Sequence, residues 1–188
     1  MSNARNLANL LGTDTQIQTA DIADGAFQAN KNLIINGAMQ VAQRGTSSTG
    51  VSSLGYYTVD RFKTAYNGTP DELRVTHAQS TDAPTGFSSS FKLTITTAET
   101  TLASDERVRF QQRIEGQNLQ HLKYGTSNAE YITFSFYVKS NVTGTYGVHL
   151  DNSDSSRSVC SAYTINAADT WEKKTISFAG DTTGSFGN

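Results

Sequence analysis

Apolar residues in this chain return at every second position and almost never at helical spacing, and that alternation limits the fold more than any other feature. Phe91, Leu93 and Ile95 share one face of a run, and Ile132, Phe134, Phe136 and Val138 share another. Successive side chains of a strand point to opposite sides, so each run reads as a half-buried strand. Val108/Phe110, Tyr146/Val148/Leu150, Val159 with Tyr163/Ile165, and Ile176/Phe178 extend the pattern, as do Leu33–Ile35, Tyr57–Phe62 and Leu73–Thr76. Turn signals separate them at Asn67–Pro70, Pro84–Gly86, Lys123–Thr126, Thr143–Gly144 and Asp151–Asp154. Ser and Thr make up 45 of the 188 residues, with 15 Gly and only 2 Pro. Thr suits strands and Ser and Gly suit turns, so composition points the same way. The predicted fold is all-β: about nine or ten short strands in a jelly-roll-like antiparallel sandwich over residues 32–188. Parallel βαβ architectures are excluded.

Residues 1–31 follow a different rule. Ser2 or Asn3 can cap a short helix whose stripe carries Leu7 and Leu11 with Leu10 beside it, and Gly12 supplies its stop. At about nine residues this helix is below the ~12–15 that hold together alone in water, so its leucine face needs a partner. Beyond it an apolar residue recurs every five positions, at Ile17, Ile22 and Phe27. That spacing keeps a constant face on neither helix nor strand; an extended stalk meeting identical copies around an axis buries one residue per step. Leu7, Leu10, Leu11, Ile17, Ile22 and Phe27 are therefore the candidate attachment and oligomerisation residues. A plain linker is the simpler alternative for this stretch. At the other end, Ala179–Asn188 runs out in a loop with no closing strand. An open edge invites pairing with other chains, so the expectation is an amino-terminal part of a longer protein, or an edge covered by a neighbouring subunit.

Charge and chemistry narrow the functional classes. With 15 Lys+Arg against 17 Asp+Glu the net charge is -2, which gives no general attraction to nucleic acid or anionic lipid. No apolar run approaches the ~20 residues of a membrane span, and no signal peptide is visible at Met1–Asn6. The single cysteine, Cys160, rules out an internal disulfide and is expected at a packed position. No serine between Gly50 and Gly55 has the flanking glycines of a nucleophile elbow. The acidic pairs Asp71/Glu72 and Asp105/Glu106 read as solvated turn residues, and His77, His121 and His149 are scattered without metal-ligand spacing. Asp151–Ser155 alternates oxygen ligands but lacks the Gly and closing Glu of a calcium loop, so a polar hairpin turn is the favoured reading. No catalytic residue, cofactor or metal is predicted.

Two surfaces remain as candidates for binding. With Val108, Phe110 and Ile114 pointing inward, Arg107, Arg109, Gln111 and Arg113 share the outer face of one strand. Guanidinium forks suit carboxylates, whether of acidic sugars or of a neighbouring subunit; a solvated face with cross-strand ion pairs is the plainer alternative. Tyr131 and Tyr137, with Tyr56, Tyr57 and Tyr66, offer flat rings for sugar stacking or for packing at a subunit interface, the latter preferred.

The segments Asn32-Leu33-Ile34-Ile35-Asn36-Gly37-Ala38-Met39-Gln40-Val41-Ala42-Gln43-Arg44-Gly45-Thr46-Ser47 and Gly55-Tyr56-Tyr57-Thr58-Val59-Asp60-Arg61-Phe62 resemble the opening of fibre proteins of tailed bacteriophages, of the marine or freshwater type. Tyr131–Ser140, Thr145–Leu150 and Trp171–Phe178 are similar to carbohydrate-binding jelly rolls, in which the first and last of these strands face each other across the core. The resemblance covers roughly residues 30–180. It implies a homotrimeric virion fibre made in the host cytoplasm, bound through its amino end to tail or capsid proteins, with distal domains touching bacterial surface glycan. A carbohydrate-binding module of a larger secreted enzyme is the alternative.

Overall fold

The computed structural model describes residues 32–67, 72–101, 103–152 and 156–184. The predicted helix and stalk, with Leu7, Leu10, Leu11, Ile17, Ile22 and Phe27, lie outside the described residues. The chain divides into two units, Met1–Leu33 and Ile34–Asn188, and every element named below belongs to the second.

Among the described residues nine strands follow in order: β1 Ser47–Val51, β2 Phe62–Asn67, β3 Arg74–Ser80, β4 Ser90–Thr97, β5 Arg107–Gln112, β6 Ile132–Val138, β7 Gly144–Asp151, β8 Ser158–Ile165 and β9 Glu172–Phe178. A short 3-10 helix, Gly116–Leu122, lies between β5 and β6 and ends on Lys123 in the left-handed conformation. Every described pairing is antiparallel, in ladders β1-β3-β4, β2-β5, β6-β9 and β7-β8. One arrangement occurs twice: an outer pair encloses a hairpin, β2–β5 around β3–β4 and β6–β9 around β7–β8. The all-β antiparallel class predicted from the alternation is thus what the chain forms. Pairing of the first strand with the last, the mark of a jelly roll, is absent from the described ladders.

Three expectations about individual strands need correcting, the first being Tyr57–Phe62, which is loop as far as Arg61 because β2 begins only at Phe62. β6 and β9 lie side by side in one ladder, Ile132 opposite Phe178 and Val138 opposite Glu172, rather than facing each other across a core. Leu33–Ile35 is not a strand: the Ile35 backbone closes instead on the Gln112 side chain, its N–H donating at 2.8 Å and its carbonyl accepting at 2.7 Å.

In the first half, β2–β5 packs against β1-β3-β4 through aromatic rings and one polar contact. Phe91 stacks on Phe110 at 3.8 Å between centroids and Phe62 on Phe110 at 4.9 Å. Thr64 Oγ1 lies 3.0 Å from His77 Nε2, both fully buried. Val51, Leu73 and Val75 form the apolar nucleus, with Tyr57, Tyr66 and Leu93 around it. Phe62, Lys63, Thr64 and Ala65 are all buried, so β2 is covered on both faces, and for that reason it shows no alternation. In the second half, Phe136 meets Tyr163 edge-on at 5.0 Å, and Tyr163 stacks on Tyr146 at 5.8 Å. Its apolar face is only half covered, Ile132, Phe134, Phe136, Val138, Val148 and Leu150 all keeping partial exposure. The β3–β4 turn clips the halves together: Asp82 accepts from Trp171 Nε1 at 3.1 Å and from Lys139 Nζ.

Candidate functional site: an arginine and tyrosine cleft

The segment from Asn36 to Arg61 is shaped by side chains that take the place of a ladder. Asn36 has φ 59, a left-handed conformation that asparagine tolerates better than most residues. From there its amide donates to the carbonyls of Val41 (2.9 Å) and Asp60 (3.0 Å), while its own oxygen accepts from the Val41 N–H at 3.0 Å. The Asp60 N–H closes the loop on Val41 at 2.9 Å. Arg44 then pairs with Asp60 at 2.9 Å. Gln79 donates to the Met39 and Gln40 carbonyls and holds the segment on β3. Gly55, bridged to Thr64, sits under the Tyr57 ring; a Cβ there would meet Tyr57 Cζ at 2.9 Å, so glycine is required by close approach.

These contacts deliver Arg44, Tyr56 and Arg61 to one place. With Arg113 and Glu115 from just beyond β5 they line a cleft of about 230 Å³. The Arg44 guanidinium carbon lies 5.5 Å from the Tyr56 ring centroid, while Tyr56 as a residue stays 42% exposed. Arg61, at φ 73, is a strained non-glycine residue immediately before β2, and its guanidinium reaches Glu115 at 2.7 Å. That hydrogen bond holds the Glu115 carboxyl below the usual carboxylate range. On the face of β2–β5 that continues from the cleft, Lys63 stands opposite Gln111 and Ala65 opposite Arg109. Lys63 is 8% exposed, and burial first, then the charges of Arg113 and Arg109, push its ammonium pKa down.

The predicted arginine stripe is divided among different tasks. Arg107 is exposed at the start of β5, Arg109 is drawn to Asp151 (3.3 Å) and His149 (3.4 Å), and Arg113 alone reaches the cleft. The expected inward and outward faces also differ in coverage: Val108 and Phe110 remain 36% and 37% exposed, whereas Arg109 is half-buried. Asp151, on β7, pairs with Arg109 and covers that position, while Arg107 and Arg113 on the same face stay exposed. Tyr131 is 70% exposed and Tyr137 40% exposed, the latter edge-on to Phe87 at 5.7 Å. Six positions of strand separate them by about 20 Å, so they are two surfaces and not one platform. Tyr57 and Tyr66 are turned inward, donating to the carbonyls of Ser53 and Val51. Cys160, expected in a packed position, is exposed.

Sequence reasoning passed over Arg44, Arg61, Lys63 and Glu115. The first two stand inside the Gln43-Arg44-Gly45 and Asp60-Arg61-Phe62 stretches that carry the resemblance, which was the available signal. Among the described residues no group of three or more His, Cys, Asp or Glu side chains is arranged to hold a metal ion. No described helix is long and apolar enough to cross a membrane. No protein-family model, curated protein or solved structure matches the chain.

Proposed function

We propose that this chain is a structural fibre protein of a tailed bacteriophage virion. In this reading residues 1–31 anchor a homotrimer to tail or capsid proteins, and the β domain contacts bacterial surface glycan. One observation carries the reading: the two segments that bear the resemblance meet in the fold, Asn36 and Val41 of the first closing on Asp60 of the second, with Arg44 paired to the same aspartate. Short motifs matched by chance have no reason to converge on one hydrogen-bonded clip. Assembly is supported by large apolar side chains that stay exposed, among them Ile95 at 59%, Val108 at 36% and Val159 at 41%. Shared burial between copies removes such surface from water at about 25 cal/mol per Å².

The second reading, a carbohydrate-binding module of a larger secreted enzyme, is favoured by one feature: a single copy supplies all five residues of the cleft. Sedimentation velocity on the full chain at micromolar concentration separates the two. The fibre reading expects three copies. A stable, fully folded monomer refutes it and favours the module.

A further inference from the structure

We propose that the cleft between Arg44, Tyr56, Arg61, Arg113 and Glu115 takes a carboxylate-bearing sugar of an acidic polysaccharide, its carboxylate on Arg113 and its ring against Tyr56. The inference deepens the glycan-contact part of the reading above and rests on it. Its starting point is a surplus of positive charge built into one ladder. Lys63 and Arg109 share a face of β2–β5, Arg113 continues that face beyond β5, and the same register carried outward sets Arg61 across from Arg113. Like charges so placed destabilise a sheet.

Two of the four are neutralised internally, Arg61 by Glu115 and Arg109 by Asp151. Among the described residues the side chains of Lys63 and Arg113 make no ion pair or hydrogen bond. A lysine 8% exposed, beside two guanidinium groups and with no carboxylate of its own, is a costly arrangement for a fold to keep. An anion seated on Arg113 relieves it; the Lys63 pKa is lowered first by burial and then by the Arg113 and Arg109 charges.

The remaining wall selects a sugar over a bare anion. Glu115, its charge paired with Arg61, keeps carboxylate oxygens on the cleft wall that accept from sugar hydroxyls, which a bare inorganic ion does not offer. Tyr56 offers an exposed ring face beside Arg44, an apolar surface that an inorganic ion does not use.

The test titrates the full chain calorimetrically with trigalacturonate and with sialyllactose, using methyl-esterified trigalacturonate and galactose-6-sulfate as controls, with sedimentation of the same samples. At least one carboxylate sugar should bind, and its ester should not. Arg113→Gln, on an exposed side chain, should weaken binding roughly tenfold or more, the scale of one charge-assisted hydrogen bond. Lys63→Met should also weaken binding while leaving the melting temperature equal or higher, because it removes an uncompensated buried charge; a purely structural lysine would lower the melting temperature instead. The proposal is overturned by failure of both carboxylate sugars to bind at millimolar concentration, by equal binding of ester or sulfate, or by indifference to Arg113→Gln. It is equally overturned if Arg113→Gln separates the copies without touching sugar affinity, since Arg113 then serves an interface. A trimer that ignores both sugars keeps the fibre reading and loses this site; a monomer that binds through Arg113 keeps the site and loses the fibre.

Discussion

Replacing Asn36 by alanine removes three hydrogen bonds at once, those to the Val41 and Asp60 carbonyls and from the Val41 N–H. Each contributes about 1 kcal/mol net, so their loss amounts to roughly 3 kcal/mol. Alanine at φ 59 adds about 1 kcal/mol of backbone cost that asparagine partly escapes. Two of the three bonds are solvent-exposed, and water recovers part of their value, which brings the expected destabilisation to about 2–3 kcal/mol. Urea unfolding followed by circular dichroism reads this as a midpoint lowered by roughly 1 M, for a slope of about 2 kcal/mol per M. Asn36→Gly separates the two contributions, since it loses the bonds but accepts the left-handed backbone; it should be about 1 kcal/mol less harmful than alanine. An Asn36→Ala midpoint within experimental error of the parent would show that the clip does not hold the segment, and with it would fall the argument that joins the two resembling segments.

His77 is caged by Tyr57 at 5.1 Å and Phe91 at 5.4 Å, and burial pushes its pKa below the ordinary 6.5. The unfolded chain therefore binds a proton near pH 6.5 that the native chain refuses; stability is full above that pH and falls as pH drops toward the native pKa, by up to about 1.4 kcal/mol per unit. Urea midpoints measured from pH 7.5 to 5 should show this slope, and His77→Gln should flatten it. Asp82 is held below the ordinary carboxylate range, chiefly by its hydrogen bond from Lys139 and then by that from Trp171, the only tryptophan. Its contribution is present above the unfolded carboxylate pKa and is lost as pH falls through the lowered native one, so acidification below about 3.8 should change Trp171 emission. Asp82→Asn should already show altered emission at neutral pH and lack that acid transition; an unchanged spectrum would place Trp171 elsewhere.

How far the sequence speaks depends on what covers each strand. β4 and β6 are legible because one side of each is wet, and the alternation of Phe91 and Leu93, or of Ile132, Phe134, Phe136 and Val138, records it, although Ile95 at the end of the same β4 face is exposed. β2 is illegible for the opposite reason: a strand covered on both sides has no polar face to alternate with, and its buried set includes Lys63 and Thr64. β1, composed of Ser47-Ser48-Thr49-Gly50-Val51, carries one apolar side chain and is a strand because β3 pairs with it. The cleft was half legible. Arginines in the motif stretches were visible, but their neutralisation was not, because Glu115 and Asp151 lie far along the chain from Arg61 and Arg109. Which cations are left over is a property of the pairing register, and that register is set by contacts between distant segments.

The twice-repeated enclosure of a hairpin by an outer pair also bears on how the chain reaches its native state. Ser80 and Ser90, or Asp151 and Ser158, meet across short turns, whereas Phe62 must find Gln112 and Ile132 must find Phe178 from far apart. Closing a long loop is costly in entropy, and a hairpin formed inside it shortens the slack that the outer strands must gather. Each enclosed hairpin thus works as an internal splint, so that non-local pairing in each half becomes the second of two modest steps in place of one large one.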